Sequence, residues 1–121
     1  MSEPFRLLIT GSRDWEDEES VRFEIAGMTV LHPGLVIVHG ACPSGADAMA
    51  AKVCADIGIR QESHPADWEH YGKAAGPRRN AEMVALGADV CLAFIRNGSR
   101  GATHCADLAE KAGIPVMRLT A

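Results

Sequence analysis

Five short runs of branched and apolar residues recur along this chain, and each is separated from the next by a loop and a stretch of helical spacing. The runs are FRLLIT (5–10), LVIVHG (35–40), RQESHP (59–64), DVCLAF (89–94) and IPVMRL (114–119). Their length and composition predict strands. The stretches between them place apolar residues three and four apart, as a helix with one buried face does. Val21, Ile25 and Met28 follow the acidic turn EDEES and stop at His32-Pro33-Gly34. Ala46, Met49, Ala50, Val53 and Ile57 follow Ser44 and end at Gly58, with Ser44 and Asp47 spaced as a variant capping box. Met83 and Leu86 face inward on a helix over 77–87, and Cys105, Leu108, Ala109 and Ala112 share one side of a helix over 102–112.

Strict alternation leaves few architectures. Parallel strands need long crossovers, and helices supply them. Right-handed crossovers then predict an α/β fold: a Rossmann-like, doubly wound, five-stranded parallel sheet in the order 3-2-1-4-5, covered on both faces as a three-layer αβα sandwich. DVCLAF is apolar throughout and belongs at the centre, whereas RQESHP is polar enough for an edge. A chain of 121 residues fits one domain, 1–121. The stretch 66–76 has no clear period and reads as a long connection of the kind that often serves function.

Composition narrows the setting. No apolar run is long enough to span a bilayer, and the opening MSEPFRLLIT lacks the pattern of a signal peptide. Cys42, Cys54, Cys91 and Cys105 lie far apart with no CxxC pair, which predicts free thiols in a reducing cytoplasm and no zinc site. The net charge is −4, so an anion site here must be a local cluster of cations.

In a doubly wound sheet, ligands bind beyond the carboxyl ends of the strands, where the strand order reverses. Arg13, Lys73, Arg78, Arg79, Arg96 and Arg100, six of the 12 lysines and arginines, fall in or beside the loops of that edge. GSRDW leaves the first strand. Gly11 and Ser12 can turn backbone N–H groups toward an anion, and Arg13 can fork onto a phosphate. Asp14 or Asp47 can accept from ribose hydroxyls, and Asp14 can instead cap the acidic helix that follows. NGSRGAT leaves the fourth strand, and Gly98, Ser99, Arg100, Gly101 and Thr103 form a turn able to cradle phosphate at a helix start. HGACPSGAD leaves the second strand and contributes Gly40, Gly45 and Asp47. Trp15 or Trp68 can stack on a base, and Lys73 can reach a phosphate if 66–76 closes as a lid. Asp14, Asp47 and Asp67 can together hold Mg2+ alongside a nucleotide. His39 reads as a hydrogen-bonded core residue, while His64, His70 and His104 form no constellation. Ser12, Ser44 and Ser99 lack a histidine–carboxylate pair, so no catalytic triad is readable.

GPRRNAEM (76–83) places two cations where a helix beginning at Pro77 already has a positive dipole end. Helical spacing separates them. Arg79 lies four residues before Met83 and leans toward the crevice with Asn80 beside it, and Arg78 lies four before Glu82 and pairs with it on the surface. A shared anion accounts for the unfavourable charge.

GSRDW, VHGACPSGAD, HPADWEHYGKAAGPRRNAEM, GADVCLAF, GSRGAT and AGIPV together resemble the YspA-like (cpYpsA-related) branch of the SLOG superfamily, over about Arg6 to Val116. That superfamily also holds the LOG phosphoribohydrolases and DprA. The resemblance implies a Rossmann-like domain that binds nucleotides or their derivatives, in bacteria or phage-infected cells, as a homodimer or larger homo-oligomer. It puts Arg79 on the functional arginine of the LOG enzymes and Gly98, Ser99 and Gly101 on their phosphate loop. Their catalytic glutamate falls on Cys105, which cannot do a carboxylate's acid–base work.

Three functions follow as expectations. The first is binding of a nucleoside monophosphate or ADP-ribose-like ligand, for sensing or processing. The second is an N-glycosidic hydrolase acting on nucleotides, with Arg79 and Asp14 as its catalytic groups. The third is DprA-like binding of single-stranded DNA, against which the net charge of −4 argues.

Overall fold

A computed structural model describes residues 3–121. Strands β1 (Arg6–Gly11), β2 (Val36–His39), β3 (Arg60–Ser63), β4 (Val90–Ile95) and β5 (Val116–Thr120) form one parallel sheet in the order β3-β2-β1-β4-β5. The sheet matches the sequence expectation in type and order. Helices α1 (Glu18–Leu31) and α2 (Gly45–Ile57) cover one face. Helices α4 (Ala75–Leu86) and α5 (Arg100–Lys111) cover the other. A short helix, α3 (Trp68–Tyr71), and a 3₁₀ turn (Gly72–Ala74) precede α4.

The pleat divides the core. Leu7, Ile9, Ile37, Leu92 and Phe94 point to the α1–α2 face with Val21, Ile25, Ala50 and Val53. Leu8, Val38 and Cys91 alternate with them and meet Met83, Cys105 and Ala109 on the α4–α5 face. β1 and β4 pair from Leu7↔Val90 to Gly11↔Phe94 and are buried on both sides. The polar strand β3 lies at the edge, where its exposed side chains meet water.

Several helix expectations change. The 66–76 connection is largely helical, with the Asp67 carboxylate accepting from the His70 N–H at 3.1 Å to cap α3. α4 therefore starts at Ala75, two residues before Pro77, and Pro77 occupies a first-turn position whose N–H has no helical acceptor in any case. Arg78 and Arg79 thus lie just beyond the first turn, where the dipole is weaker. Arg78 lies 4.0 Å over the Tyr71 ring and forms no ion pair with Glu82. Leu86 is 59% exposed, because α4 rotates Met83 and Val84 onto the sheet instead. Ile57 and Ala112, at the ends of their helices, also face solvent, and Ala102 and Ala106 complete the buried side of α5. Ser44 occupies the N-cap position of α2, but its hydroxyl makes no cap bond, so the capping box does not form. α1 is capped by Asp17, which accepts from the Ser20 N–H at 3.1 Å, and not by Asp14. No helix among the described residues is long and apolar enough to cross a membrane.

Candidate functional site

A cavity of about 690 Å³ opens at the carboxyl ends of β1 and β4, where the strand order reverses. Its floor is Ile9, Thr10 and Met83, and its walls come from the β1–α1 loop, the start of α2, α4 and the β4–α5 turn. Of the candidates read from the sequence, Gly11, Arg13, Asp14, Asp47, Trp68, Arg79, Asn80, Ser99, Arg100 and Gly101 line it.

The other candidates lie elsewhere, each for a packing reason. Trp15 is buried edge-on against Phe94, ring centroids 5.3 Å apart, and its indole N–H donates to the Asp17 carbonyl at 2.9 Å. It is a core residue with no face free for stacking. Ser12 is also buried. Its hydroxyl accepts from the Arg96 N–H at 2.7 Å and lies 3.4 Å from the Arg96 carbonyl, tying the β1 exit loop to the β4 exit loop. Gly40 lies beneath Arg79, where a Cβ would come within 2.7 Å of the guanidinium carbon. Gly45 has φ +69 and packs so closely on the Ser12–Arg13 backbone that a Cβ would lie 2.6 Å from the Arg13 Cα. Lys73 is exposed in the 3₁₀ turn. Gly98, at φ +62, and Thr103, whose N–H donates to the Ser99 carbonyl at 3.1 Å, shape the turn from outside the cavity.

Four arginines line the walls: Arg13, Arg79, Arg96 and Arg100. Arg96 is committed, pairing with Glu16 at 3.0 Å and donating to the Asp14 carbonyl at 2.8 Å. Arg79 donates through Nε to the Asn80 side chain at 2.9 Å and through Nη1 to the Gly40 carbonyl. Arg13 lies 5.2 Å over the Trp68 ring. Arg100 makes no ion pair or side-chain hydrogen bond among the described residues. The Ser99 hydroxyl accepts from the Ala102 N–H at 3.5 Å, which leaves the Arg100 and Gly101 N–H groups at the α5 terminus unclaimed by protein. Such a terminus favours an anion.

The α2 side of the cavity differs in kind. Asp47 is 5% exposed. Its Oδ2 accepts from the Cys42 N–H at 3.4 Å, and its Oδ1 has no partner. Burial pushes this carboxyl above the usual range, against smaller opposing effects of Cys42, His39 and Arg79. The turn leading to it is tightly held. Ala41, at φ +56, donates its N–H to His39 Nδ1 at 3.0 Å, so the His39 proton sits on Nε2 and is donated to the Gln61 side chain at 2.7 Å. His39 is buried, as the sequence suggested.

Asp14 and Asp67 do not join Asp47. Asp14 accepts from the Asn97 side chain at 3.2 Å, and Asp67 caps α3. Among the described residues no three His, Cys, Asp or Glu side chains are grouped to hold a metal ion. Polar lining residues given no role from the sequence include Thr10, Cys42, Asn97 and His104. His104 was legible in principle, because it lies four residues after Arg100 on the same face of α5, and it reaches Asn80 Nδ2 at 3.4 Å. Cys105 does not reach the cavity. It is buried against Cys91 and Met83, and burial raises its thiol pKa.

The sequence model of the YspA, cpYpsA-related SLOG family matches residues 5–71, from β1 through α3. Gene 61 protein of Mycobacterium phage D29 is 49% identical over 120 residues, covering 93% of this chain and 94% of that protein. The chain belongs to the YspA, cpYpsA-related SLOG family. Membership suggests nucleotide-related binding or processing. The matched segment carries the β1–α1 loop, the Gly40–Asp47 turn and Trp68. The remaining walls of this SLOG domain's cavity, on α4 and α5, lie beyond residue 71. No solved structure matches the chain.

Proposed function

We propose that this SLOG domain binds a nucleotide or nucleotide-derived ligand, a nucleoside monophosphate or an ADP-ribose-like molecule, in the cavity above β1 and β4. The reading rests on one observation: the unclaimed N–H groups of Arg100 and Gly101 border a cavity lined by four arginines and a half-exposed indole. Phosphate occupies the α5 terminus, with Arg100 and Arg79 as counter-charges. The base stacks on Trp68, which is 47% exposed where α4 begins. Binding is favoured over glycosidic hydrolysis because Cys105, at the position of the LOG glutamate, supplies no acid–base group to the cavity.

The test is mass spectrometry of small molecules carried through native purification, followed by titration of the ligand found. Arg100→Ala is the variant of choice, since Arg100 has no structural partner to lose. Its affinity is expected to fall about tenfold or more, the effect of one charge-assisted hydrogen bond. Unchanged affinity in Arg100→Ala removes phosphate from the α5 terminus.

A further inference from the structure

The cavity offers opposite chemistry at its two sides. Around the α5 terminus and Trp68 it presents donors: free N–H groups and guanidinium groups. At the α2 side the lining includes the Asp47 carboxylate, whose Oδ1 is buried with nothing to accept from. We infer that Asp47 is a specificity-determining residue that accepts from the vicinal hydroxyls of a ribose, so that the site selects ribonucleotide derivatives over 2′-deoxyribonucleotides. The inference rests on the nucleotide reading above.

The unpaired oxygen is a fixed feature of the fold. The Ala46 N–H donates to the Ser12 carbonyl at 3.3 Å, and Gly45 is packed on the same loop, so the first turn of α2 cannot carry Asp47 out to water. Leaving a buried acceptor unsatisfied is costly, and more so when it bears charge. No neighbouring protein donor reaches Oδ1 within hydrogen-bond geometry. Arg79 gives Nε and Nη1 to Asn80 and Gly40, and both His39 nitrogens are used. Asp47 lines the cavity, and that is the side from which a ligand can bring the missing donor.

Position within the cavity says which part of the ligand donates. Phosphate is drawn to the α5 side of the sheet and the base to Trp68, on the same side as α4. The sugar joins them and faces the remaining wall, where Asp47 stands at the start of α2. A ribose brings two adjacent O–H donors to that wall, and its 2′-deoxy counterpart brings one. Asp14 is a poor alternative reader, being exposed and already hydrogen-bonded to Asn97. A site built around a buried polar group discriminates strongly against a ligand that leaves that group unpaired.

The experiment titrates the four common ribonucleoside 5′-monophosphates and their 2′-deoxy counterparts by calorimetry. The native protein is expected to prefer the ribo form at least tenfold, whatever the base. Asp47→Ala is expected to bring that ratio near one, and Asp47→Asn, which keeps an acceptor oxygen without the charge, to lie between. The comparison on the native protein needs no variant. Equal affinities for ribo and deoxy forms, a preference that follows the base and not the sugar, or a ratio that survives Asp47→Ala overturns the inference while leaving nucleotide binding intact. Failure of both series to bind, with no nucleotide in native preparations, takes down the nucleotide reading as well.

Discussion

Two glycines with nearly the same backbone conformation differ in what a methyl group would meet. Gly45 has φ +69 and Gly58 has φ +76. At Gly58 a Cβ finds nothing within 4 Å. Gly58→Ala therefore carries only the cost of a left-handed alanine, about 1–2 kcal/mol. At Gly45 the new carbon falls inside van der Waals contact of the Ser12 carbonyl oxygen and 2.6 Å from the Arg13 Cα. These are backbone atoms, which cannot rotate aside. Overpacking adds about 1–3 kcal/mol, so Gly45→Ala is expected to cost about 2–5 kcal/mol in all. For a chain of 121 residues, each kcal/mol corresponds to about 3–5 °C in Tm. Thermal melts followed by circular dichroism should therefore show Gly58→Ala about 3–10 °C below the native protein and Gly45→Ala about 6–25 °C below it. Gly45→Ala must also melt clearly below Gly58→Ala. Variants melting within about 2 °C of each other would falsify the close seam between α2 and the β1 exit loop, and with it the fixed position of Asp47.

Two further expectations follow from the titrating groups. Burial raises the Cys54 thiol to about 11 and the Cys91 thiol to about 12, and it moves Cys105 in the same direction, while Cys42 is half-buried on the cavity wall. Ellman's reagent should thus label one thiol in the native protein, more slowly than free cysteine because burial also raises Cys42, and all four in denaturant. Labelling of none or of several in the native state contradicts this. Glu62 on β3 reaches across β2 to the Arg6 guanidinium, at 2.8 and 3.0 Å, and to His64 at 2.7 Å, which together hold its carboxyl down to about 2. A depressed carboxyl stabilises above its unfolded value of 4.5, and that contribution is lost as pH falls toward about 2. Because the pair is partly exposed, the loss should be on the order of 1 kcal/mol. Urea midpoints at pH 5 and pH 3 should show a smaller acid loss in Glu62→Gln than in the native protein, and equal losses would remove the assignment.

The sheet was legible because its signal is local. DVCLAF and FRLLIT are mostly apolar and RQESHP is not, so central and edge positions follow from residues within each run, while the strand order follows from the alternation with helices and right-handed crossovers. The cavity was legible in outline for the same reason, since loops at one edge of a parallel sheet converge by topology. Trp15 misled because nothing near it in sequence reveals Phe94, which is brought beside it by β1–β4 pairing. Pro77 misled because a first-turn proline is compatible with several helix starts, and Ala75 and Gly76 are buried as part of the same turn. Asp47 matched the spacing of a capping box, and only the packing of Gly45 on Ser12 turns its carboxylate inward.

The Ser12 hydroxyl, held between the two exit loops, has a kinetic consequence. It joins the loop bearing Arg13 to the turn bearing Arg100 before any ligand arrives. The entropic penalty of ordering these loops is met during folding, so association needs little rearrangement of the site. Encounter should then be governed by diffusion and by the arginine-lined mouth, and ligands of different affinity should differ mainly in how long they stay.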